Sequence, residues 1–165
     1  MTARLATLVL AACSFGCLSE QPIASGSPEP VDPSLLGNWR CLFADEADPS
    51  TLTITEVEGR GVRAVFSGGD SKPSTFTGYA VKFEGKRLLN VRSEDEESRK
   101  WTLAQYTMYR PTVLYVEYPH YDNKAFNDAT TSAQKRDALR RGYKAKTLFQ
   151  DSFTCVRIMD GEAPK

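Results

Sequence analysis

From Leu35 onward, apolar and polar residues alternate in short runs, and clusters of turn-forming residues interrupt them. Runs of this kind, rich in Thr, Val, Tyr and Phe, fit half-buried strands whose side chains alternate between two faces. The pattern predicts eight strands, over residues 38–43, 51–57, 61–66, 75–83, 87–92, 100–109, 112–118 and 148–158. Asp48-Pro49-Ser50, Gly59-Arg60-Gly61, Gly68-Gly69-Asp70, Glu84-Gly85-Lys86, the acidic run 93–98 and Arg110-Pro111 separate them. Gly supplies positive φ, Pro fixes φ, and Asp and Ser bond their own backbone, so each cluster is a turn with a mechanism. The fold class that follows is all-β: an eight-stranded antiparallel up-and-down barrel, because closure removes the exposed edges of such a meander.

One segment breaks the period of two. Thr131-Ser132-Ala133-Gln134 has the spacing of a capping box, and Gly142 is placed to supply a left-handed C-terminal cap. A short helix before the last strand is predicted, with Ala133, Ala138 and Leu139 toward the barrel. Residues 132–146 carry six cations against the single acid Asp137, a net charge of +5. A solvated face is the default reading of such a helix; anionic headgroups or an acidic partner are the alternatives.

The chain ahead of the barrel has a different character. Arg4 precedes an apolar stretch, 5–12, that is too short to span a bilayer and ends in small residues, the layout of an export signal. Leu10-Ala11-Ala12-Cys13 resembles the bacterial lipobox, which implies cleavage before Cys13 and lipidation of its thiol. Cys17 is the alternative processed residue; cutting there would leave no odd cysteine. Four prolines within 18–33 describe an extended tether. The expected organisation is a signal peptide 1–12, a lipidated cysteine and Pro-rich tether 13–33, a barrel 34–160 and a disordered tail 161–165.

Cys41 falls in the first predicted strand and Cys155 in the last. In an exported chain two such cysteines are expected to be bridged. Directly opposed residues of antiparallel strands keep a constant index sum, so this bridge sets Trp39 opposite Arg157 and Phe43 opposite Phe153. All six then share one face, and its three aromatics make that face the interior. The pairing joins the first strand to the last and closes the barrel, with the Arg157 guanidinium stacked on the Trp39 indole as a structural plug.

Gly37-Asn38-Trp39 at the start of the first strand resembles the Gly-x-Trp signature of the lipocalins and the wider calycin barrels. Thr154-Cys155-Val156-Arg157 is similar to the late strand whose Arg packs over that Trp. The chain departs from lipocalins in placing its helix before the last strand and not after it. The resemblance implies a barrel that holds a small apolar ligand.

Charge and chemistry narrow the function further. The whole chain has 21 basic and 21 acidic residues, which argues against nucleic-acid binding because phosphate neutralisation needs a basic excess. His120 is the single histidine, too few for an ordinary zinc site, and no glycine elbow accompanies any serine. No catalytic residue, metal or cofactor is therefore expected, and the chain is not expected to be an enzyme. Asp151 points inward by the register, between Phe149 and Phe153, where a barrel mouth or a ligand's polar group would satisfy it. With Tyr106 and Tyr115 it forms the candidate ligand-binding set. The expectation is a lipid-anchored barrel of the bacterial cell envelope, binding a small apolar or amphipathic molecule and touching the membrane through its anchor alone. The alternative is an envelope protein-interaction module, similar in outline to the periplasmic protease-inhibitor barrels, with 18–33 as the inserting segment.

Overall fold

The computed structural model describes residues 22–24, 26–44, 48–58, 60–68, 72–95, 101–119, 124, 128–129 and 131–159. The proposed cleavage sites at Cys13 and Cys17, the lone His120 and the tail lie outside them. Eight strands follow in order: β1 Gly37–Phe43, β2 Ser50–Val57, β3 Gly61–Ser67, β4 Ser74–Phe83, β5 Lys86–Ser93, β6 Trp101–Arg110, β7 Val113–Pro119 and β8 Phe149–Arg157. Each pairs antiparallel with its neighbour, and β8 returns to β1 to close the barrel.

The closing ladder has the register that the cysteines dictate. Trp39 pairs with Arg157, Cys41 with Cys155 and Phe43 with Phe153, and the two cysteines form a disulfide. Trp39, Cys41 and Cys155 are fully buried. A 3₁₀ turn, Pro33–Leu35, leads into β1, and Leu35 accepts the Trp39 indole N–H at 2.9 Å through its carbonyl. Leu35, Leu52, Ile54, Val62, Leu114, Val116 and Phe153 complete this inner core.

A second core lies outside the barrel wall. Period two along β4, β5 and β6 turns Val81, Leu88 and Leu103 outward, yet all three are fully buried. The helix α1, Ser132–Ala145, covers them with Ala138 and Leu139, helped by Leu148, Ile23 and Ala24. Each fully buried Leu or Val of this layer contributes about 1.5–3 kcal/mol relative to exposure.

The capping box forms as its spacing predicts: Thr131 accepts from the Gln134 backbone N–H, and the Gln134 side chain accepts from Thr131. Two expectations for α1 are corrected. The helix runs past Gly142, and its left-handed cap is Lys146 at φ 55°. Gly142 is needed for closeness, since a Cβ there would sit 3.2 Å from the Leu148 Cβ. Ala133 is exposed, and Lys135 is the residue of that turn that lies buried.

The described part of the Pro-rich segment does not stand off as a tether. Ile23 and Ala24 are about 1% exposed. The Asn90 side chain on the outer face of β5 holds them: its Oδ1 accepts from the Ile23 and Ala24 N–H groups at 3.1 and 3.0 Å, and its Nδ2 donates to the Ala24 carbonyl at 2.8 Å. Farther on, the Glu29 N–H donates to the Ala80 carbonyl at 2.8 Å. A strand asparagine that satisfies three backbone groups substitutes for the sheet neighbour this segment lacks.

Candidate functional site

Inside the barrel is a cavity of about 100 Å³ whose lining is almost wholly carbon. Its origin is in side-chain size. Ala64 on β3, Gly78 on β4 and Ala104 on β6 occupy inward positions, where larger residues would fill the interior of an eight-stranded barrel. Gly78 also permits the close approach of β4 to β5, because a Cβ there would collide with the Asn90 carbonyl. Leu52, Ile54, Val62, Leu114 and Val116 form much of the remaining wall.

The two ends of the cavity differ. At one end Leu35 of the 3₁₀ turn faces the void, above the Trp39–Arg157 plug. The Arg157 guanidinium carbon lies 4.2 Å from the Trp39 ring centroid, and its N–H groups donate to the carbonyls of Ser34, Leu36 and Pro111. At the other end Phe66, Phe76, Phe153 and Tyr118 line the void, and Phe43 packs on Phe153 with centroids 4.8 Å apart. Phe66 meets Phe153 edge-on at 5.5 Å and Phe76 at 6.1 Å. Offset and edge-to-face contacts of this kind stabilise such a cluster by about 0.5–1.5 kcal/mol per pair beyond the area they bury.

Of the three residues expected to contact ligand, the structure places one in the wall. Tyr106 lines the cavity, and its hydroxyl donates to Asp32 Oδ2 at 3.2 Å and accepts from Arg87 at 3.3 Å. Burial pushes its phenol above the ordinary tyrosine range, so it keeps the proton it donates. Asp151 pairs with Tyr118 in the β7–β8 ladder and is partly exposed, one inward position beyond Phe153 toward the aromatic end. Tyr115 is a correction: it alternates with the cavity-lining Leu114 and Val116 and so stands on the outer face, against Tyr109 at 5.9 Å. Asp45, the residue the register sets opposite Asp151, lies outside the described residues.

Sequence reading missed the residues that tie the N-terminal segment to the barrel. Asp32 accepts from the Ser34 N–H at 3.0 Å and the Ser34 hydroxyl at 2.6 Å, and Arg87 lies 3.6 Å away. Burial raises the Asp32 carboxyl, but the bonds from Ser34 and Tyr106 and the Arg87 charge outweigh it and bring it below 3.8. The signal for Asn90 was present as a lone polar residue in the run Leu88-Leu89-Asn90-Val91. Asp32 had no comparable signal, because its partners lie on β5 and β6.

Among the described residues no group of three His, Cys, Asp or Glu side chains is placed to hold a metal ion, and no helix is long and apolar enough to cross a membrane. The architecture is a closed eight-stranded antiparallel barrel consistent with a lipocalin-like fold. In comparisons with known proteins, no family model, no curated protein and no solved structure matches the chain.

Proposed function

We propose that this protein is an exported, lipid-anchored barrel of the lipocalin-like kind that takes a small apolar molecule, or the apolar end of an amphipathic one, into its interior. The observation that carries this reading is the carbon-lined void of about 100 Å³ left by Ala64, Gly78 and Ala104. An apolar cavity of about 150 Å³ in another protein stays dry and accepts benzene, so the scale suits a few non-hydrogen atoms. An amphipathic ligand would place its apolar end beneath the Phe66, Phe76 and Phe153 rings and its polar end at the rim beside Tyr118 and Asp151. No proton transfer or covalent step enters this function; the work is desolvation of an apolar group.

Native mass spectrometry of the protein purified from the bacterial envelope tests the proposal. An added small mass that is lost on denaturation supports it. A native mass equal to the denatured mass, unchanged after exposure to small hydrocarbons and short-chain acids, counts against it.

A second reading has one observation in its favour. Leu42, Val156 and Tyr109 are 55%, 54% and 67% exposed on the outer wall. Such a face suits a protein contact in the envelope. The protease-inhibitor variant of that reading requires a free N-terminal segment, and the Asn90 clasp on Ile23 and Ala24 opposes it.

A further inference from the structure

We infer that the solvent face of α1 rests on an anionic lipid surface, giving the barrel a second membrane contact beside its anchor. The inference rests on the anchored reading above. Arg136, Arg140, Arg141 and Lys144 are all exposed on α1, while Ala138 and Leu139 are turned into the outer core. Arg140 is engaged by Glu84 at 3.1 Å and Asp137 at 3.8 Å. Arg136, Arg141 and Lys144 make no salt bridge among the described residues. Their charge is available to a partner.

The second observation is the path of the chain. Ile23 and Ala24 are buried in the same outer cluster as Ala138 and Leu139, so the segment leading back to the cysteines leaves the barrel on the α1 side. Six residue steps separate Cys17 from Ile23 and ten separate Cys13 from it, which limits the leash to about 20 Å or about 35 Å. Headgroup charge acts over a screening length of about 8–10 Å in physiological salt. A short leash brings one side of the barrel repeatedly within that range at high effective concentration, an advantage that a soluble acidic protein lacks.

Charge then selects which side settles. Residues 34–160 carry +2 overall and 132–146 carry +5, so the rest of the barrel is at −3 and is repelled by an anionic leaflet. The helix is attracted, and the leash starts beside it.

The test uses the full chain purified from bacterial membranes and returned to vesicles of phosphatidylcholine alone or mixed with phosphatidylglycerol. Flotation with neutral vesicles reports the anchor; hydrogen exchange of residues 132–146, compared with β1, reports the helix. The expected result is exchange across α1 slowed about tenfold on the anionic vesicles only, with the slowing lost at about 1 M salt. The triple variant Arg136→Glu, Arg141→Glu, Lys144→Glu should lose it, and the corresponding Arg136→Lys, Arg141→Lys variant should keep it. Equal exchange on both vesicles, protection that survives high salt, or equal protection by polyglutamate without vesicles would each overturn the proposal. A chain that fails to float with neutral vesicles refutes the anchor, and flotation on anionic vesicles alone then decides the helix.

Discussion

The Arg157 guanidinium carbon stands 4.2 Å from the centre of the Trp39 ring, on the opposed pair of residues that closes the barrel. The same side chain donates to Ser34, Leu36 and Pro111 carbonyls, so it fastens the 3₁₀ turn and the β6–β7 turn to the end of the cavity. Gly37 makes room for it: a Cβ there would sit 2.7 Å from an Arg157 guanidinium nitrogen.

Arg157→Ala should therefore cost about 3 kcal/mol, because a stacked cation and several charge-assisted hydrogen bonds are lost together. Arg157→Lys should recover less than half of that, since an ammonium cannot span three carbonyls in the same plane. Urea unfolding curves measure both; a lysine variant as stable as the wild type would show that charge alone suffices.

The disulfide closes a loop with a sequence separation of 114. The double variant Cys41→Ser, Cys155→Ser should lose about 4 kcal/mol, mostly through a less constrained unfolded chain. The corresponding check is the urea midpoint with and without reductant. Reductant should shift the wild type toward the variant and leave the variant unmoved.

How much of this was legible in the sequence depended on range. The β1–β8 register followed from two cysteines and a period of two, and every strand end lies within one residue of its expected place. The cavity was not legible. Ala64, Gly78 and Ala104 are ordinary strand residues until three strands bring them to one interior. Tyr115 was misplaced because Tyr fits either face of a strand, and only the alternation anchored by Leu114 and Val116 decides. The outer core was legible only from the helix, whose Ala138 and Leu139 were expected toward the barrel; β4 and β6 bury residues on both faces, so the strand pattern does not mark the wall that receives them.

Asn90→Ala should release the N-terminal segment without opening the barrel. Three backbone groups of Ile23 and Ala24 lose their partner, at a cost of about 1–3 kcal/mol for groups that stay buried. Limited proteolysis would then cut near residue 24 in the variant and spare it in the wild type. Equal protection of both would show that apolar packing alone holds the segment.

Acid should weaken the same attachment through Asp32. Its carboxyl is depressed below 3.8 in the folded state, so it contributes stability above that value. The contribution disappears as pH falls from 3.8 through the lower, folded-state value. Asp32→Asn should be less stable at neutral pH and should flatten the loss of stability as pH falls below 3.8. Parallel pH profiles for variant and wild type would assign the acid sensitivity elsewhere.

The central claim is that the void accepts an apolar molecule, and methyl NMR during a titration with benzene tests it most directly. The methyl signals of Leu52, Ile54, Val62, Leu114 and Val116 should shift and saturate together, while those of Leu139 and Leu148 in the outer core stay fixed. Ala104→Phe, which fills the void, should abolish those shifts. Unmoved inner methyl signals, or shifts that survive the Ala104→Phe substitution, would contradict the account.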